Sequence, residues 1–399
     1  MALRRFSWAA PAVLLFVSII VALLVTVIVD RCAGLFMGVE NDLVFDRYSI
    51  VSYSTPEFQI KARINNLGYR GENLDPRKRK QYRIATLGDS FTFGWGVDDE
   101  DTWPRVLEKN LRNRGLDVEV MNLGQPGTWP AQYAEIAERA LPVLRPDLVV
   151  VAVNPGDDLG QIMRAATTSH KGESGRTAWS AIKAVLKSLY PNLLELKRRV
   201  SSPKSEMSAT AGWKEQVADL LPHLSPEENR KLDRIDGEIK GMFVRGELNP
   251  GLLVASLRRP DYIWKTLDLD NPLVQKGIQE MSKELSRIKV SAEGAGGKIV
   301  VVSLPNGFFV SKRILETNGR IGFIVDPSCL TTTSMDDAIR MATSKPGIDF
   351  LEVTQTFREE SMKRNLFFRF DGHYNREGQR YFAESIGPFI GAKLRVVDR

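Results

Sequence analysis

The sequence predicts an α/β fold built on a doubly wound parallel sheet, and three observations carry that expectation. Strand and helix patterns alternate between Tyr82 and Val153, Leu148–Val153 is a continuous apolar run, and turn-forming residues follow each strand pattern. Alternation of this kind argues for parallel strands joined by helical crossovers. An unbroken apolar run is what a strand covered on both faces requires.

Taken in order, the chain opens with Phe6 to Val29, which contains no charged residue. At about 1.5 Å per residue such a helix is long enough to cross a bilayer core of about 30 Å. Arg4 and Arg5 precede it, and Asp30 and Arg31 follow. The positive-inside tendency then puts the short N-terminus in the cytoplasm and the rest outside it, on the periplasmic or extracellular side. A cleaved signal peptide needs a small-residue site, which Val27-Ile28-Val29-Asp30-Arg31 does not offer. Asp30-Arg31 is also not the small apolar context of a lipoprotein anchor at Cys32, and Arg4-Arg5-Phe6 is a weak twin-arginine echo. An uncleaved single-pass membrane anchor is the expectation.

Residues 31–80 read as a juxtamembrane segment with short extended stretches such as Phe58–Ala62. Next come a strand at Tyr82–Leu87, a turn at Gly88–Gly96 and a helix at Thr102–Arg114 with Leu and Val on one face. A second strand, Val118–Leu123, is broken by Gly124-Gln125-Pro126-Gly127. A helix at Gln132–Leu144 ends before Pro146, and Leu148–Val153 is the third strand. Sites in such sheets lie beyond the C-terminal strand ends. Ser90, Gly124 and the turn Asn154-Pro155-Gly156-Asp157-Asp158 all fall there.

Residues 161–275 are polar and helix-prone, with loop material at Ser201-Ser202-Pro203-Lys204-Ser205. Trp213–Leu221 and Ser225–Arg245 read as surface helices, the second opened by Ser225 as N-cap, Pro226 in the first turn, then Glu227 and Glu228. This helical insertion is either a lid over the site or an excursion without a role. The α/β pattern resumes with a helix at Val274–Val290, strands at Lys298–Leu304 and Asp349–Val353, and a closing helix at Asn375–Ala392. The expected division is therefore an anchor at 1–30, a juxtamembrane segment at 31–80, a catalytic domain from 81–160 and 276–399, and the insertion at 161–275.

Composition narrows the function. The 399 residues are 43% hydrophobic and 26% charged, with a formal net charge of +6, which suits a globular chain with a sizeable core. No basic tract is interleaved with aromatics, so no nucleic-acid partner is indicated. Arg77-Lys78-Arg79-Lys80 reads as a solvated loop. Cys32 and Cys329 do not make a disulfide framework. No Cys/His cluster has metal-ligand spacing, so neither metal nor other cofactor is called for.

Ser90, just after an apolar strand, is poised as a nucleophile. A serine hydroxyl is weak until a base takes its proton, a task suited to a neutral imidazole. Only His170, His223 and His373 compete for that role, and Asp371 stands two residues before His373. A carboxylate there would orient the imidazole and stabilise the imidazolium. The oxyanion needs fixed donors, for which the backbone N–H groups of Ser90 and Gly124 are candidates, with a third from the turn after Val153. The structural alternatives are Ser90 as a helix cap, Gly124 as a strand terminator, His373 as a surface histidine and Asp89 as a turn organiser. Trp95, Trp103 and Trp129 either line a sugar or acyl pocket or pack in the core.

Taken together, Gly88-Asp89-Ser90, Asn122-Leu123-Gly124 and Asp371-Gly372-His373-Tyr374-Asn375 resemble the nucleophile, oxyanion-glycine and acid–base blocks of the SGNH/GDSL hydrolases. Asn65-Asn66-Leu67-Gly68-Tyr69-Arg70-Gly71 is similar to a segment upstream of the nucleophile in membrane-anchored bacterial members. The resemblance spans about 60–160 and 295–392 and implies a flavodoxin-like three-layer fold. Two departures stand out. Gly156-Asp157-Asp158 replaces the family's Gly-X-Asn-Asp, putting a carboxylate where an amide donor is expected, so either Asn154 supplies the third donor from a shifted turn or the hole relies mainly on backbone donors. Asp-X-His replaces Asp-X-X-His and is similar to alginate O-acetyltransferase-like proteins. The resemblance implies an extracytoplasmic serine esterase acting on acyl esters, acetyl in particular, with a cell-envelope glycan or small ester as substrate. Its alternatives are an O-acyltransferase using the same triad, and a non-catalytic polysaccharide-assembly protein.

Overall fold

The computed structural model describes residues 44–77, 80–169, 207, 208 and 210–397, with positions 13, 17, 18, 21, 25–27, 29 and 30. Those N-terminal positions are helical. Most of the expected anchor, and 170–206 of the expected insertion, lie outside the described residues. Among the described residues no helix is long and apolar enough to cross a membrane. The chain divides into two compact units, Met1–Asp42 with Thr168–Ser205, and Leu43–Thr167 with Glu206–Arg399.

The second unit carries a five-stranded sheet. Preceding it in the chain is an antiparallel hairpin of β1 (Ile50–Ser54) and β2 (Gln59–Arg63). The sheet itself comprises β3 (Tyr82–Leu87), β4 (Val118–Asn122), β5 (Leu148–Val153), β7 (Lys298–Ser303) and β8 (Asp349–Leu351), while β6 (Met207–Ser208) pairs with β1. Strand order is β4-β3-β5-β7-β8 with every pair parallel. The chain runs outward from β3 to β4, then returns to β5 on the other side. That reversal opens a crevice beyond the ends of β3 and β5, where ligands bind in sheets of this order.

Helices cover both faces, as the apolar runs demand. Ile84, Val150, Ala152, Val300 and Val302 join a core with Leu107 and Leu111 of one helix (Trp103–Asn113) and Phe382, Ile386 and Ile390 of the closing helix (Arg376–Val397). The alternate residues Ala85, Leu87, Val149, Val151, Ile299 and Val301 pack with helices Pro130–Leu144, Pro272–Gly294 and Ser334–Ser344. Each large side chain buried this way contributes about 1.5–3 kcal/mol. The expected three-layer, doubly wound parallel sheet is what is observed.

Several differences have local causes. The expected helix Ser225–Arg245 is two, Pro226–Leu232 and Gly237–Val244. Ser225 closes a capping box with Glu228, and Asp236 caps the second helix by accepting from the N–H groups of Glu238 and Ile239. The turn after Val153 runs directly into a helix, Pro155–Ser169. Helices Gly307–Val310, Lys312–Ile321, Ser334–Ser344 and Thr354–Ser361 occupy a stretch in which only the last strand stood out in the sequence. The described part of the 161–275 segment shares the core: Val217, Ile239, Phe243 and Leu257 pack in one cluster with Leu304, Ile314 and Phe323. Residues 44–77, expected as juxtamembrane, belong to the same unit as the sheet.

Candidate active site

The expected nucleophile stands at the crevice. β3 is buried along its whole length and delivers the chain to Asp89, whose carboxylate accepts the Phe91 N–H at 2.9 Å and so caps a one-turn helix, Ser90–Phe93. Ser90 is the first residue of that turn, so its N–H has no intrahelical acceptor. Gly94 ends the turn in the left-handed region (φ 90°), donating its N–H to the Ser90 carbonyl. Gly124 must lack a side chain, because a Cβ there would lie 2.4 Å from the Phe93 nitrogen. Behind the turn, buried Arg70 donates to the carbonyls of Phe93, Gly94 and Val97 and to Asp99. The Asn65–Gly71 segment thus braces the loop that follows the nucleophile; Asn65 Oδ1 shapes it by accepting from the N–H groups of Leu67 and Tyr69.

The expected acid and base sit on a tight loop between Phe367 and Tyr374, which form an isolated antiparallel bridge. Phe368 donates its N–H to the His373 carbonyl at 2.9 Å, and Gly372 turns the chain at φ 82°. His373 Nδ1 lies 2.6 Å from Asp371 Oδ1, which fixes the tautomer with the proton on Nδ1. Its Nε2 then accepts from the Ser90 hydroxyl at 2.7 Å. The imidazole packs against two rings, Phe91 tilted at 4.6 Å and Trp95 stacked at 5.6 Å. Trp95 Nε1–H also donates to Asp371 Oδ2 at 3.1 Å.

These partners set the charge balance. Burial opposes protonation of His373, yet its side chain keeps 21% of its surface open. The charge and hydrogen bond of Asp371, then the charges of Asp89 and Asp157, outweigh burial and hold the imidazole above its ordinary 6.5. Asp89 is 2% exposed, and burial followed by the charge of Asp157 pushes it up to about 6. Ser90, His373 and Asp371 form a continuous hydrogen-bonded chain, and its charged surroundings keep the imidazole basic.

The expected oxyanion donors are arranged differently from one another. The Gly124 N–H donates to Asn122 Oδ1 at 3.0 Å, so in this resting arrangement it is committed. Asn154 is buried against Asp89, the residue before Ser90; its Nδ2 donates to Asp89 Oδ2 at 3.4 Å, which uses one of its two amide hydrogens. Asp158 ties the turn holding Asn154, accepting the Asn154 N–H at 2.9 Å and the Tyr133 hydroxyl at 2.9 Å. Asp157 instead accepts from Gln161 Nε2 at 2.7 Å, and its charge is felt by His373, Asp89 and Asp158. Of the three candidate tryptophans, Trp95 is in the site. Trp103 is fully buried against Phe382, and Trp129 packs half-buried against the opposite core.

Sequence patterns missed Glu57. Its carboxylate accepts three consecutive backbone N–H groups, those of Arg369 at 2.6 Å, Phe370 at 3.0 Å and Asp371 at 2.8 Å. No local signal marks it, because every partner is a main-chain group more than three hundred residues away.

No family model matches the chain, and no curated protein matches its sequence. Solved structures resemble it distantly. The acetyl xylan esterase AlAXEase is 12% identical, with 77% of this chain and 99% of that chain covered and a TM-score of 0.38. The psychrotrophic esterase EstA from Pseudoalteromonas sp. is 9% identical (79% and 100% covered, TM-score 0.37). The lipase/acylhydrolase from Enterococcus faecalis is 10% identical (78% and 97% covered, TM-score 0.37). Likenesses this distant carry no argument about chemistry, which rests on the geometry of Ser90, His373 and Asp371.

Proposed function

We propose that this chain is a serine esterase that cleaves acyl esters, acetyl in particular, through an acyl-Ser90 intermediate. The observation that carries the reading is the unbroken relay from Asp371 through His373 to Ser90 Oγ, at 2.6 and 2.7 Å. His373 Nε2 takes the Ser90 proton as Oγ attacks the ester carbonyl, and Asp371 stabilises the imidazolium that forms. The tetrahedral intermediate places its negative charge near the Ser90 N–H and the Asn154 amide. On collapse, His373 returns the proton to the departing alcohol oxygen. A second hydroxyl then attacks the acyl-serine while His373 takes its proton; as the acyl–Oγ bond breaks, His373 passes that proton to Ser90 Oγ, releasing the acyl product and free Ser90.

In this reading the second hydroxyl is water, and the substrate is an acylated cell-envelope polysaccharide or small ester. The Asp371-Gly372-His373 spacing favours a second reading, in which a sugar hydroxyl replaces water and the protein is an O-acyltransferase. The charge-free stretch Phe6–Val29 supports a single-pass anchor holding the catalytic unit outside the cytoplasm.

Full chain incubated with p-nitrophenyl acetate tests the central part: turnover lost in Ser90→Ala is expected, and turnover surviving that change would overturn it. With acetylated oligosaccharide, free acetate marks hydrolysis; acetyl groups moved to an added unacetylated oligosaccharide mark transfer. Protease added to spheroplasts, whose outer envelope is removed, should digest the catalytic unit if it lies outside the cytoplasm and leave it intact if it lies inside.

A further inference from the structure

We propose that the β1–β2 hairpin is part of the catalytic apparatus, with Glu57 at its turn positioning Asp371 against His373 and Trp95 fixing the second carboxylate oxygen. The inference rests on the serine-esterase reading for its kinetic consequence, though not for its geometry.

The loop from Phe367 to Tyr374 lies outside the sheet, so no strand ladder determines where Asp371 points. Three successive N–H groups, on Arg369, Phe370 and Asp371, instead converge on one carboxylate. Hydrogen bonds to an ionised acceptor are about twice as strong as neutral ones, and three in a row fix both translation and orientation of the strip. The last of the three is the N–H of Asp371 itself. Moving the clamp moves the acid.

The clamp is itself held. Glu57 sits in a turn where Thr55 Oγ1 accepts the N–H groups of Glu57 and Phe58, and Thr55 donates its own N–H to the Phe58 carbonyl. The hairpin's inner face, Val51, Tyr53, Phe58 and Ile60, forms a small core with Phe93 of the nucleophile turn, packed by Trp95 and Phe368. Tyr53 meets Trp95 edge-on at 4.5 Å, and Phe58 lies 4.8 Å from Phe368. One small core therefore touches both arms of the site and sets the distance between them. Trp95 Nε1–H adds the fourth constraint by donating to Asp371 Oδ2, leaving Oδ1 for His373. Glu57 acts through the backbone and is a positioning residue.

Glu57→Gln in the full chain tests this, because the amide keeps the shape but turns a donor toward at least one N–H. The proton on His373 Nδ1 gives a low-field resonance, assigned by its loss in His373→Gln. In Glu57→Gln that resonance should shift or broaden away, with kcat reduced about 10- to 100-fold and KM unchanged. Glu57→Asp, which retains the charge, should recover part of both losses. Trp95→Phe, which keeps a ring over His373 but removes the N–H, should shift the same resonance without disturbing the Glu57 bonds, and it serves if Glu57→Gln does not fold. A resonance and kcat at wild-type values in Glu57→Gln, or a resonance unmoved in Trp95→Phe, would overturn the proposal. Should the wild type show no Ser90-dependent turnover, the esterase reading falls while the His373 resonance still decides the clamp.

Discussion

The two segments that meet at the site are held in opposite ways. Ser90 is carried by the buried strand β3 and sits on a one-turn helix packed from behind. Asp371 and His373 are carried by a partly exposed loop held by a carboxylate, an indole N–H and two aromatic rings. Ser90 takes its position mainly from the buried strand and the core behind it, and Asp371 and His373 take theirs mainly from polar contacts made across the chain. Core placement is redundant, because many side chains share it. Polar placement is concentrated in a few groups, so single substitutions should separate the two.

The largest effect should come from the shared centre. Ser90→Ala should reduce ester turnover by about 10⁴-fold or more while the melting temperature stays near that of the wild type. Asp371→Asn should follow at about 10³- to 10⁴-fold in kcat, since an amide no longer favours the proton on His373 Nδ1. A small loss there would mean that Trp95 and the ring contacts alone orient the imidazole.

The core arm can be probed apart from chemistry. Leu107 is fully buried against the sheet, so Leu107→Ala should cost about 2–5 kcal/mol in urea unfolding, with kcat of the folded fraction retained. If kcat fell in proportion to stability, the two arms would not be separable.

Asp89 lies where the arms join. Its folded-state value of about 6 exceeds the ordinary 3.8, so the folded state binds the proton more tightly than the unfolded chain. Stability should therefore fall as pH rises from about 4 to about 6, then level off. Asp89→Asn keeps a helix-capping oxygen and removes that titration. The difference in unfolding free energy between variant and wild type should grow by up to about 3 kcal/mol across this window. A constant difference would show that Asp89 titrates alike in both states.

The smallest expected effect concerns Asp157. Its charge helps to raise His373, so the acid limb of kcat/KM should lie above pH 6.5 in the wild type, with activity lost as pH falls through it. Asp157→Asn should move that limb to lower pH. An unmoved limb would remove Asp157 from the site's electrostatics.

How far the site was legible in sequence follows the same division. Ser90 announced itself through local signals, a strand pattern followed by Gly88-Asp89-Ser90, because its geometry is set by neighbours in the chain. His373 and Asp371 were legible because so few histidines compete and the acid stands two residues before the base. The strands were legible for the same reason as Ser90: apolar runs buried on both faces leave a continuous signature. Glu57 was not legible, since a glutamate whose partners are distant backbone N–H groups looks like any polar turn residue. The commitment of the Gly124 N–H to Asn122 was hidden too, because a two-residue side-chain contact leaves no periodic pattern. Two of the helices between Gly307 and Ser361 escaped because they are only four and eight residues long, too short to show a helical period, and the longer of them follows Val353 with no side-chain cap.

The central claim is that His373 activates Ser90 for attack on an acyl carbon. The most direct measurement is covalent labelling of the full chain with a fluorophosphonate, followed by mass spectrometry of its peptides. A single adduct on Ser90 is expected, absent in Ser90→Ala and formed at least about 10²-fold more slowly in His373→Ala. An unlabelled wild type, or labelling as fast without His373, would contradict it.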